Sequence, residues 1–385
     1  MAEGLKPIRR VVTGNDERGR SRVVWDGPAP NAHPNPVGPS GYTDLWVWDR
    51  TPPPLAGEDD GFKHYDFPGS AAGGHVRVIE ARGRPADYDP AKDPISVAPH
   101  APKERSEGRT WDRGGRSLFS SDMHKTETID YAVCIDGQRV LGLDDTEVVL
   151  KPGDVVVQVG AWHQWRQPIG GRMVFDMFAA HFVDGPAGVA QGNDAVMRPR
   201  ANVALPAGVK PTRRVVTVDR KAGEGNLVSD DASPDVRTDP ARPGFACARM
   251  WVTDTAPAKI VYETLQLPNV LQPPARGSVF NVFTFPPDAS WKGKVGQREV
   301  EAYFKSMGAD GASTYAPDAA HPYMQKMPTL DFCVVIEGEI ALLLDTQETV
   351  LHAGDVVIQR GTNHAWSNRS GKPAIVSIAS HDARA

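Results

Sequence analysis

The chain has 385 residues, too many for one ordinary core and suited to two domains of roughly 190 residues each. Its 37 glycines, 34 prolines and 40% hydrophobic residues fit a turn-rich β protein that is too apolar for disorder, and no Gly-x-x period marks collagen. A net charge of −5 gives no basic footprint for nucleic acid, and no apolar run approaches the roughly 18 residues of a membrane span, so a small-molecule partner is expected.

Met1 to Pro7 has no apolar signal core, and Cys134, Cys247 and Cys333 are too scattered for a disulfide framework or a CxxC site, so a reducing cytoplasm is the expected compartment. Ala81 to Ser121 is long, polar and rich in Pro and Gly, which reads as a functional lid or a disordered segment. β-branched runs then predict strands over Ile129 to Ile135, Val140 to Leu143, Glu147 to Leu150 and Val155 to Val159, separated by turns at Asp136-Gly137, Asp144-Asp145 and Pro152-Gly153. An apolar strand follows from Met173 to Phe178. The stretch from Val183 to Pro211, rich in Gly, Ala and Pro, reads as a linker. Val300 to Lys305 is one helical candidate. No Gly-x-Gly-x-x-Gly fingerprint, Walker loop or Gly-x-Ser-x-Gly elbow is present, so no nucleotide cofactor is expected.

The halves repeat one another. Thr128-Ile-Asp-Tyr-Ala-Val-Cys-Ile-Asp-Gly137 recurs as Thr329-Leu-Asp-Phe-Cys-Val-Val-Ile-Glu-Gly338, and Gly153 to Trp165 recurs as Gly354 to Trp366 at the same offset. Upstream, Arg9-Arg-Val-Val-Thr13 matches Arg213-Arg-Val-Val-Thr217. The expected division is therefore residues 1–195, a linker over 196–212, and residues 213–385.

The order strand, Asp-Gly or Glu-Gly turn, strand, acidic turn, strand, Gly-Asp, strand, Gly-x-x-His resembles the cupin superfamily, and its presence in both halves resembles a bicupin. The resemblance implies an all-β fold of two tandem cupin barrels, double-stranded β-helix or jelly-roll in form, with few short helices. It also implies a site. His124 takes the place of the first metal-binding histidine, Thr126 replaces the second, Asp130 takes the carboxylate place and His163 the last. Two histidines and one carboxylate suit one divalent metal, with Fe(II) favoured and Mn, Zn or Ni also compatible. In the second half the same places hold Gln325, Met327, Asp331 and His364, a degenerate set expected to be structural or to bind a ligand without metal. His321 is weighed as a replacement ligand there.

Asp130 and Asp331 occur in both halves, so a role in orienting a histidine or capping buried backbone stands beside the metal role. Trp162, Trp165, Phe175, Met177 and His181 are the further pocket candidates, each with a core or surface reading beside it. The leading expectation is a bicupin metalloenzyme, a mononuclear non-haem iron dioxygenase acting on a keto, enol, phenolic or carboxylate substrate. Two alternatives accompany it: a metal-free lyase, isomerase, cyclase or decarboxylase using His124 and His163 as acid and base, and a non-catalytic ligand binder. Monomer and homodimer are both compatible with the fused halves.

Overall fold

The repeated Arg-Arg-Val-Val-Thr segments show how the halves are joined. In the computed structural model, which describes residues 4–35, 40–63, 67–105, 107–190, 204–221 and 223–384, each segment begins a hairpin that adds to the other half. Arg9–Asn15 lies parallel to Val356–Arg360, with Val11 opposite Val357, and Arg213–Lys221 lies parallel to Val155–Val159, with Val216 opposite Val157. The hairpins end in Ser21–Pro28 and Glu224–Ala232. The expected division at 196–212, of which 196–203 lie outside the described residues, thus separates sequence halves that exchange strands in space.

The charges of the repeat hold these hairpins. Arg9 binds Asp26 and Asp355, and Arg213 binds Asp230 and Asp154, the same arrangement twice. Arg10 and Arg214 are buried and each forms a two-pronged pair, Arg10 with Asp59 at 2.6 and 2.7 Å and Arg214 with Glu263 at 2.7 and 3.0 Å.

The protein is all-β with two barrels. A ten-stranded sheet belongs to the first and an eight-stranded sheet to the second, each with a smaller sheet of three strands beside it. The strands expected at Ile129 and Val140 form one element, Thr128–Gly142, that bends at the turn residues. Gly137, at φ +65°, makes the bend, and a Cβ there would meet the Gly170 carbonyl at 2.2 Å. Likewise Met173 to Phe178 is part of the longer Gln164–His181, whose register slips twice against Thr128–Gly142. The helical candidate is a helix over Gln297–Ser306, burying Val300, Tyr303 and Phe304.

A core between the barrels joins the halves. Tyr131 stacks on Phe280 at 4.7 Å and Trp48 on Phe332 at 5.3 Å, and the His381 ring meets the buried Asp176 carboxylate at 2.8 Å. A separate cluster fills the first barrel, including Ala132, Cys134, Leu141, Trp165, Phe175 and Met177. Among the described residues, no helix is long and apolar enough to cross a membrane.

Candidate active site

The segment 81–121 is ordered where it matters to the site. Its strands Lys103–Arg105 and Thr110–Asp112 pair on to His124–Thr126, forming a strip against the first barrel. From His124 the chain runs into Thr128–Gly142, and alternate residues face one side of it. Ala132 and Cys134 belong to the barrel's interior cluster, so Thr128 and Asp130 share that face. The hydroxyls of Thr126 and Thr128 lie 2.7 Å apart, and Thr128 donates to Asp130 at 2.7 Å.

His163 arrives from the loop after Val155–Val159 and pairs with His124. Each backbone N–H donates to the other's carbonyl, at 2.8 and 2.9 Å, and the ring centroids are 4.2 Å apart. His124 Nδ1 lies 2.7 Å from the Asp122 carbonyl and His163 Nδ1 lies 2.8 Å from the Ala161 carbonyl. A carbonyl only accepts, so both Nδ1 atoms carry hydrogen. Burial lowers the His124 pKa, and burial together with His124 holds that of His163 well below the usual range. Both rings are therefore neutral at neutral pH, and each leaves an Nε2 lone pair with no hydrogen-bond partner among the described residues. That is the state in which imidazole ligates a metal.

Asp130 does not join them. The three residues do not bring one ligand atom each within 4.8 Å of one another, and among the described residues the group that does is His100, Asp112 and Asp122. Burial raises the Asp130 carboxyl to about 7, with Asp176 adding to the rise. His100, from the strip, contacts Asp122 at 3.0 Å through Nε2 and lies 3.6 Å from Asp112. Sequence spacing did not mark this group, because it depends on how the strip folds back. The donor set thus fits a divalent metal through the two histidine nitrogens, with carboxylates nearby on the strip.

A cavity of about 250 Å³ opens beside His124. Trp165, Ser121, Asp122 and Gln167 line it, and so does a residue the motif reading passed over, Arg139. Arg139 is 3% exposed, and its Nε and Nη1 have no hydrogen-bond partner among the described residues. The available signal was its place in the repeat, where the second half has Ile340.

The other candidates distribute as follows. Trp165 lines the cavity, and Phe175 and Met177 lie in the core cluster around it, with Phe175 edge-on to Trp165 at 5.3 Å. Trp162 stands apart, stacked under Arg113 at 4.3 Å. His181 ends its strand beside Lys259 of the second half, away from the cavity. In the second barrel, Gln325 and His364 form the same backbone pair, and His364 Nδ1 again meets a carbonyl, that of Thr362, at 2.9 Å. Here the Gln325 amide faces the His364 Nε2 at 3.3 Å, and burial lowers that histidine to about 4. Asp331 is raised by burial to about 6. His321 is held by Asp288 and the Tyr323 backbone, so it is not a ligand for this site.

The family model for a cupin domain matches residues 312–379, which include Gln325, Asp331 and His364. This stretch of the second half is similar to cupin domains. Similar curated proteins come from fungi. The cupin-domain-containing oxidoreductases virC of Hypocrea virens and srdD of Neurospora crassa are 41% identical over 58 residues and 32% over 79. These stretches cover 15% and 20% of this chain and 29% and 40% of theirs. Phomopsin biosynthesis cluster protein D of Diaporthe leptostromiformis is 52% identical over 48 residues, 12% of this chain and 25% of its own length. The chain therefore spans between a quarter and two fifths of the length of these relatives. Among solved structures, an oxalate decarboxylase from Bacillus subtilis is 8% identical, with a TM-score of 0.32 over 81% of this chain and 70% of its own.

Proposed function

We propose that the first barrel is the catalytic centre of a cupin oxidoreductase-type enzyme acting on a small oxygenated organic molecule, with dioxygenation as its finer form. One observation carries the reading: two neutral histidines with bare Nε2 atoms are paired, and one of them, His124, lines a cavity large enough for a small substrate. Two relatives bearing oxidoreductase names support it. His124 and His163 would hold a divalent metal, Fe(II) if a carboxylate completes the set, and bound there it would polarise a substrate oxygen. The chain's own work is positioning. The Asp122 and Ala161 carbonyls fix both ring orientations, and Trp165 walls the cavity. The strip over 81–121 shields the His124 strand from solvent, which strengthens polar interactions inside.

The test is elemental analysis of protein prepared without a histidine tag, with oxygen uptake measured over a panel of keto, phenolic and carboxylic compounds. Near-stoichiometric metal that is lost in His163→Ala, with substrate-dependent oxygen consumption, is expected. Metal-free protein that turns over without oxygen overturns the reading. That second outcome would favour acid–base chemistry, for which Asp130 at about 7, linked through Thr128 to Thr126, is poised.

A further inference from the structure

Arg139 is unexplained by the fold. Its equivalent in the second barrel is Ile340, a buried core residue, so this strand position does not require a cation. A guanidinium buried with Nε and Nη1 unpaired is costly unless something arrives to pair with it. The Trp165 face, 5.6 Å from its central carbon, compensates in part without making the missing hydrogen bonds. Burial, and next to it the Cys134 thiol, perturb Arg139, so no carboxylate among the described residues shifts it, and at about 10 its pKa leaves it charged at neutral pH. Asp122, the acid that lines the same cavity, is engaged by His100. Arg105 and Arg116 line the cavity as well, so three arginines face one aspartate there.

We propose that Arg139 is the carboxylate-binding residue of this cavity and that its ligand is a small organic acid, bound through its acid group with the remainder against Trp165. A guanidinium fork donates to both oxygens of a carboxylate, and the cavity of about 250 Å³ takes a single ring or a short chain. The further step, that the acid's reacting end faces His124, rests on the functional reading above; binding at Arg139 does not.

Benzoate and its neutral isostere benzamide are suitable probes in titration calorimetry of the full-length protein. The native chain should bind benzoate at least about tenfold more tightly than benzamide, the size expected for one charge-assisted pair. Arg139→Ile, which installs the residue of the second barrel, should abolish that preference by weakening benzoate far more than benzamide, and Arg139→Lys should retain part of it. Arg139→Met serves if the isoleucine variant folds poorly. Equal affinities in the native chain, no benzoate binding at millimolar concentration, or a preference that survives Arg139→Ile each overturn the proposal. His163→Ala separates the two readings: an Arg139-dependent preference in a variant with undiminished turnover would leave the acid site standing and remove the histidine centre.

Discussion

The two barrels have the same backbone solution and different chemistry. Both join a residue at the start of the long strand to a histidine in the loop by a reciprocal backbone pair, and both fix that histidine through Nδ1 to a carbonyl. In the first barrel the partner is His124 and two lone pairs remain bare. In the second it is Gln325, whose amide points at the one lone pair. Arg139 faces a cavity of about 250 Å³, whereas the barrel with Ile340 has one of about 40 Å³, room for roughly three waters. The difference in space has a visible cause: the helix Gln297–Ser306 and the loop after it push Tyr303, Phe304 and Tyr323 against the second cavity, while the first half has the thin strip of 103–126. The lesson is that one scaffold is opened or filled by a few side chains and by what covers its mouth.

The largest expected effect tests the buried anchors that tie each hairpin to its own half. Arg214→Met should destabilise by about 3–5 kcal/mol, because it leaves Glu263 buried without its cation. Arg10→Met should do less, since its partner Asp59 is 21% exposed. Urea denaturation of both variants checks the order, and equal losses would break the asymmetry between the halves.

Next comes the pair of buried acids. Asp130 is held at about 7 in the folded chain against 3.8 when exposed, so the folded state keeps a proton that the unfolded chain has released. This contribution is fully present below about pH 4 and is lost as pH rises to 7, a fall of up to about 4 kcal/mol. Asp130→Asn should remove the fall, gaining stability over the native chain at pH 8 but not at pH 4. Asp331, at about 6, should show a smaller fall ending near pH 6, so stability curves of the two asparagine variants are predicted to diverge between pH 6 and 7.

How much of this was legible in the sequence follows from which interactions are local. Strand positions, the His124 and His163 candidates and the helix near Val300 are written in periodicity and in the repeat. Hairpin exchange is not, because Arg-Arg-Val-Val-Thr looks the same whichever barrel it pairs with, and only the partners Asp355 and Asp154 settle it. Arg139 was hidden for another reason. After the bend at Gly137 the strand's facing cannot be carried forward by counting, so an interior arginine reads as a surface one. The group of His100, Asp112 and Asp122 needs the strip's return path, which polar loop composition does not specify.

His163→Ala probes the centre directly and should lower turnover by about 100-fold or more, at the scale of losing an essential acid–base or ligand group. The equivalent change, His364→Ala, should leave turnover within about twofold, because its lone pair already faces Gln325. Comparable losses would put a second working site in the filled barrel.

The smallest effect is the most informative about what separates the barrels. At 3.3 Å, the contact between Gln325 and His364 is long for a hydrogen bond, so Gln325→His should change stability by no more than about 1 kcal/mol. If paired histidines suffice to take up a divalent ion, then Gln325→His in a His163→Ala background should bind added Ni(II), while His163→Ala alone does not. Turnover should still be absent, because Tyr303, Phe304 and Tyr323 leave no room for a substrate. Failure to bind would show that the histidine pair is insufficient and would direct attention to what the second barrel lacks: a strip that brings His100, Asp112 and Asp122 to the edge of the site.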